Sequence, residues 1–159
     1  MRVYQYVYFA LQSTRVPATE ISARLGIEAD ERKVRGSRRA RPPRPVAHTW
    51  RIVCRRPGLT VDEQIAEVLD RLFEHAERIG ALALELDGTG DDGWPAATLQ
   101  VVRVFEHPDG EEEERPAPVG GLEKLPGQHQ LLGWHLDGRV LEFLRLTHAL
   151  LDIDEYAYD

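Results

Sequence analysis

The residues able to do chemistry are few and scattered. Cys54 is the one cysteine in 159 residues, which excludes an intramolecular disulfide and any thiolate cluster for zinc or iron–sulfur. A nucleophilic role would need its thiolate stabilised by an imidazole or a helix N-terminus. Arg55 and Arg56 could lower a thiol pKa, but Cys54 alternates with Trp50 and Ile52 on the apolar side of a strand, which makes it a buried structural thiol. The six histidines (His48, His75, His107, His129, His135, His148) form no H-x-x-x-H or H-x-x-E-H phrase, so their spacing points to no metal. Asp152, Asp154 and Glu155 carry hard oxygen donors, yet along a strand the first two face one way and the third the other. Gly88-Thr-Gly90 and Gly120-Gly121 lack the following helix and Gly-Lys-Ser/Thr phrase of a phosphate cradle and read as turns. With 27 acids, no carboxylate pair stands out for hydrolysis. No catalytic residue, metal or cofactor is expected.

The elements that must position these groups are legible from periodicity. Val3 to Leu11 is apolar on both alternating faces, with Val7, Phe9 and Leu11 against Tyr4, Tyr6 and Tyr8, as in the middle strand of a sheet. A short helix follows Pro17, with Ile21 and Leu25 one turn apart and Gly26 as a left-handed cap. Thr49 to Arg55 alternates as a strand, Arg51 and Arg55 lying opposite Trp50. Thr60 and Glu63 form a capping box, and Ile65, Val68, Leu69, Leu72 and Ile79 recur at helical spacing up to Gly80. The spacing then predicts a hairpin of strands Ala81–Leu86 and Ala97–Phe105, and a short strand Leu131–Leu136. Asp137 is placed to cap a helix whose Val140, Leu141, Leu144, His148 and Leu151 share a face, and Leu151 to Tyr158 closes the chain as a strand. From Thr49 the order is ferredoxin-like, so the expectation is one α+β domain over 1–159: an antiparallel or mixed sheet of five to seven strands, two longer helices and one short helix on one face.

Charge divides the chain. Residues 1–56 carry 13 Lys+Arg and 4 Asp+Glu, whereas residues 57–159 carry 7 and 23, so the first part is at +9 and the rest at −16. Residues 32–45 form a basic Pro/Arg-rich loop whose Arg35, Arg38, Arg39, Arg41 and Arg44 could bind anions or lie solvated. Residues 106–130 form an acidic Pro/Gly-rich insertion with the run Glu111, Glu112, Glu113, Glu114. No apolar run is long enough to span a bilayer and no cleavage site follows the first strand, so a cytoplasmic protein without a membrane partner is expected.

Tyr8-Phe9-Ala10-Leu11, Pro17-x-x-Glu20-Ile21-Ser22-x-x-Leu25-Gly26-Ile27, Gly36-Ser37, Trp50 and the closing Leu151-Asp152-Ile153-Asp154-Glu155-Tyr156 together resemble the bacterial domain-of-unknown-function 4279 family across nearly the whole chain. The resemblance implies a small cytoplasmic bacterial protein and carries no activity with it. The residues themselves favour a non-catalytic module that binds another protein through acids, Glu111 to Glu114 with Asp152, Asp154 and Glu155. A toxin-neutralising immunity protein would use such a surface, and the basic arm of one copy meeting the acids of another would give a homodimer. The alternative is nucleic-acid binding by the Arg-rich loop and the Tyr4, Tyr6, Tyr8 stripe, which the net charge of −7 opposes at long range. The tyrosine stripe itself is expected to be core beneath helices.

Overall fold

The computed structural model describes residues 2–88, 94–106 and 133–158. In chain order these form β1 (Arg2–Ser13), α1 (Ala18–Leu25), β2 (Glu31–Lys33), β3 (His48–Cys54), α2 (Val61–Leu72), a 3-10 turn (Phe73–His75), α3 (Ala76–Glu85), β4 (Ala97–Glu106), α4 (Gly138–Thr147) and β5 (Leu150–Tyr158). The five strands make one mixed sheet in the order β2-β3-β1-β4-β5. β1 runs antiparallel to β3 and β4, β2 antiparallel to β3, and β5 parallel to β4. This is the α+β architecture that the element pattern predicts.

The doubly apolar β1 takes the centre of the strand order, where β3 and β4 flank it on both sides and shelter its side chains. Its register sets Phe9 between Ile52 and Leu99, and Leu11 between Trp50 and Ala97. These side chains meet Ile21 and Leu25 of α1, Ile65, Val68 and Leu69 of α2, Ile79 of α3 and Phe143 of α4 in one buried cluster. Phe143 meets Phe9 edge-on at 5.3 Å, and the Trp50 indole N–H donates to Ser22 Oγ at 3.0 Å. Each such fully buried large side chain contributes about 1.5–3 kcal/mol, so the helical face supplies most of the cohesion. Local signals set the helix ends: the Thr60–Glu63 capping box opens α2, Asp137 accepts from the Val140 N–H to open α4, and Gly26 closes α1 at φ 68°.

Three sequence expectations give way. Ala81–Leu86 is not a strand, and no hairpin joins it to β4: residues 81–85 continue α3. Ile79, Leu82, Ala83 and Leu86 are buried at helical spacing while Leu84 is 70 % exposed, so the leucine alternation is incidental to a helix rich in good helix formers. Gly80 does not end the helix. It lies inside α3 where a Cβ would sit 2.0 Å from the Leu146 carbonyl oxygen, so the residue is there to let α3 and α4 approach. Residues 133–136 of the expected strand Leu131–Leu136 are irregular, the first two lying outside the described residues. The buried face of α4 is Val140, Phe143 and Thr147, with Leu141 54 % exposed, because the helix turns its aromatic residue to the sheet.

Candidate functional site

Among the described residues all four helices join the Phe9 side of the sheet, leaving the opposite face to Tyr8, Ala10 and Val102, packed with Tyr6 and Val53 as a second cluster. The tyrosine stripe is therefore not core beneath helices. It forms a ladder down β1, with ring centroids 5.8 Å apart from Tyr4 to Tyr6 and 6.1 Å from Tyr6 to Tyr8, and exposure rises from 8 % at Tyr8 to 49 % at Tyr4.

The register places cations along one side of this ladder and acids along the other. On β3, the Arg51 guanidinium stacks over the Tyr8 ring at 4.1 Å and that of Arg55 over the Tyr6 ring at 4.0 Å. Arg55 also donates to Glu31 at 2.9 Å and to the Tyr4 hydroxyl at 3.4 Å. On the far side, the Tyr8 hydroxyl donates to Gln100 Oε1 at 3.1 Å, and Gln100 Nε2 donates to Asp154 at 2.9 Å. Burial pushes the Tyr8 phenol above its usual range, Arg51 opposing and Asp154 and Asp152 reinforcing the shift. Tyr8 is thus a fixed neutral strut, and Tyr4 is the accessible ring. Sequence alternation separates Arg51 from Trp50, but only the strand register shows that Arg51 and Arg55 cap tyrosines; no signal within either segment carries that pairing.

Asp152 and Asp154 share this face on β5, the last strand of the sheet, and Asp152 makes no hydrogen bond or ion pair among the described residues. Glu155 points to the helical side, where it accepts from the Arg103 guanidinium at 2.7 Å. The sequence groups these three acids; the fold keeps two on the helix-free face and spends the third on a 5 % exposed arginine. Glu111, Glu112, Glu113 and Glu114, with nearly all of the 106–130 insertion, lie outside the described residues.

The arginine loop prolongs the β2–β3 hairpin, and its first residues, expected as loop, are part of β2. Backbone bonds from Gly36 N–H to the Pro45 carbonyl (2.9 Å) and from Arg44 N–H to the Ser37 carbonyl (2.7 Å) tie its two limbs together, made possible by Gly36 at φ 72° and Arg44 at φ 55°. Arg35 donates to the Thr14 carbonyl at 3.0 Å, which fixes the base of the loop. Arg38, Arg39, Arg41 and Arg44 are exposed, and their side chains make no hydrogen bond or ion pair among the described residues. Other arginines of the basic part do pair with later acids: Arg15 with Asp87, Arg24 with Glu85 and Arg56 with Glu67.

Cys54 is buried, as its place beside Trp50 and Ile52 predicts. Its thiol donates to Glu67 at 3.3 Å, and burial together with that carboxylate pushes its pKa up, while Arg56 is taken by the same carboxylate. The described residues contain no group of three or more His, Cys, Asp or Glu side chains able to hold a metal, and no helix long and apolar enough to cross a membrane. What remains chemically distinctive is a bipolar, aromatic sheet face flanked by one acidic and one basic element.

The family comparison matches this chain over residues 2–158 to the domain of unknown function DUF4279. The chain belongs to the DUF4279 family. No curated protein and no solved structure matches it. In this DUF4279 chain the matched span takes in the helix-free face, the arginine loop and β5 alike.

Proposed function

We propose that the protein is a non-catalytic protein-binding module whose helix-free face and β5 edge recognise a basic partner. The observation carrying this reading is the segregation of all four helices to one face, which leaves Tyr4 49 % exposed on the same sheet face as Asp152 and Asp154, these two on a strand with one side unpaired among the described residues. Aromatic rings supply contact area at low entropy cost, and a fringe of acids steers and selects a cationic surface. A protein that neutralises a nuclease-like toxin would place acids in this manner, where the enzyme otherwise holds substrate phosphates. The test is titration of a labelled deca-arginine peptide, with a deca-glutamate peptide as control. Binding that weakens about tenfold in D152N/D154N supports the reading. Equal affinity of the two peptides, or no effect of the double substitution, removes it.

A second reading rests on Arg38, Arg39, Arg41 and Arg44, four exposed cations without a carboxylate among the described residues. Such a loop suits a phosphate backbone. Against it, Arg51 and Arg55 already occupy faces of the Tyr8 and Tyr6 rings that stacked bases would use. Neutralising four contacts to single-stranded RNA should reduce the slope of log affinity against log salt by about 3. An unchanged slope in R38Q/R39Q/R41Q/R44Q excludes the loop as a nucleic-acid contact.

A further inference from the structure

The sheet ends in two unlike edges. β5 is a nine-residue edge strand with one side unpaired among the described residues, and it leaves Leu150 38 % and Ile153 45 % exposed. An edge of this length is a template for pairing with another chain unless something blocks it. Residues 150–159 contain four acids and no cation. At the other edge β2 has three residues, and residues 34–47 after it contain five arginines and no acid.

Within one molecule these features lie at opposite edges of the sheet. From β3, where the arginine loop rejoins the sheet, to β5 is three strand spacings of about 4.8 Å. From the His48–Ser13 pair to the Val53–Tyr8 pair, whose row holds Asp152, is five residues of about 3.4 Å along the strands. Together that puts roughly 22 Å between the base of the loop and the acids. Self-pairing of β5 is also penalised in the antiparallel register centred on Ile153, where Asp152 of each copy would face Asp154 of the other and like charges across a ladder repel. Among the described residues the exposed unpaired cations complementary to the β5 edge are those of the arginine loop, which a second molecule can present to it.

We propose that this chain self-associates head to tail, the arginine loop of one copy (Arg38, Arg39, Arg41, Arg44) lying along the β5 edge (Asp152, Asp154) of the next. This rests on the reading that β5 takes a basic partner and names a second copy as that partner. The contact joins two different patches, so a joined pair still has one free loop and one free edge, and growth does not stop at two unless a ring closes.

The test is mass by light scattering across a concentration series at low and high salt. The wild-type chain of 18.1 kDa should exceed two chains as concentration rises at low salt and return to one chain at about 0.5 M salt, where exposed charges are screened. R38Q/R39Q/R41Q/R44Q and D152N/D154N, each shown folded by circular dichroism, should each remain single. Mixed in equal amounts they should give a two-chain species and nothing larger, because one intact loop meets one intact edge. A wild-type chain that stays single throughout, either variant assembling alone, or a mixture that stays single overturns the proposal. Deca-arginine binding lost in D152N/D154N while the wild type stays single would sink self-association and leave the basic-partner reading standing; no peptide binding would remove both.

Discussion

At the scale of single residues, the most heavily engaged carboxylate among the described residues is Asp87, which no motif announces. It follows α3 and accepts from the Ser13 hydroxyl, from the Thr14 N–H at 3.1 Å and from the Thr14 hydroxyl, with Arg15 at 3.5 Å. It thereby fastens the end of β1 to the exit of α3. The hydroxyls of Ser13 and Thr14 hold its carboxyl well below the usual carboxylate range against the opposing effect of desolvation. A depressed folded-state pKa contributes stability that is complete above the unfolded value near 3.9 and is lost as pH falls toward the folded one. Asp87→Asn should therefore lower the unfolding free energy at pH 7 by about 1–2 kcal/mol and flatten its decline below about pH 4, measured by urea melts across pH. Equal acid sensitivity in the variant would show that other carboxylates carry it. Cys54 gives a second test at this scale. Burial raises its thiol pKa, so alkylation by iodoacetamide at pH 8 should be slow in the native chain and speed up on denaturation. Native reaction as fast as that of the unfolded chain would contradict the buried placement. The contrast with the Thr60–Glu63 box is instructive: four consecutive residues announce that cap, whereas Ser13 and Asp87 are 74 positions apart and only the fold joins them.

At the scale of elements, what the sequence makes legible follows from how local the cause is. β1, β3, β5, α1, the start of α2 and the Asp137 cap rest on period and on capping residues, and all are found. The run Ala81-Leu-Ala-Leu-Glu-Leu86 satisfies period 2 and period 3.6 alike, and a glycine before it resembles a stop signal. The deciding fact is non-local: the Leu146 carbonyl of α4 rests where a Gly80 Cβ would be, 2.0 Å away. Helix propensity alone would have Gly80→Ala stabilise by about 1 kcal/mol. The packing reverses the sign, because backbone cannot yield as a side-chain tip can. Gly80→Ala should cost about 3 kcal/mol in a thermal or urea melt, whereas Gly138→Ala at the start of α4, with open space around it, should be neutral or stabilising by up to about 1 kcal/mol. Similar effects from both substitutions would mean that the α3–α4 approach is not tight. The site's own geometry fell on the illegible side for the same reason. Tyr4, Tyr6 and Tyr8 lie on one side of β1 by alternation, but whether helices cover that side, and which arginines cap the rings, depends on strand order and register.

At the scale of the whole molecule, the opposite charges of the two parts of the chain are partly cancelled inside the fold. Arg15, Arg24 and Arg56 reach Asp87, Glu85 and Glu67, and the sheet face sets Arg51 and Arg55 one strand from the tyrosines that Asp154 approaches from the other side. What is left over is spatially separate: arginines beyond the short β2 and Asp152 with Asp154 along β5, at opposite ends of the strand order. Exposed pairs of the kind that cancel are worth at most about 1 kcal/mol each, so the distribution contributes little to folding and is available for recognition. That separation makes a stability measurement informative about function. Arg38, Arg39, Arg41 and Arg44 have no carboxylate among the described residues, so R38Q/R39Q/R41Q/R44Q should unfold within about 0.5 kcal/mol of the wild type, or slightly later as like-charge repulsion is relieved. Arg103→Gln, which empties a 5 % exposed site and leaves a half-exposed Glu155 to water, should cost about 1–2 kcal/mol in the same urea melt. A loop variant destabilised as much as Arg103→Gln would make the four arginines part of the protein's own scaffold. Their charge would then be spent within the molecule, and neither a second copy nor a nucleic acid would be needed to account for it.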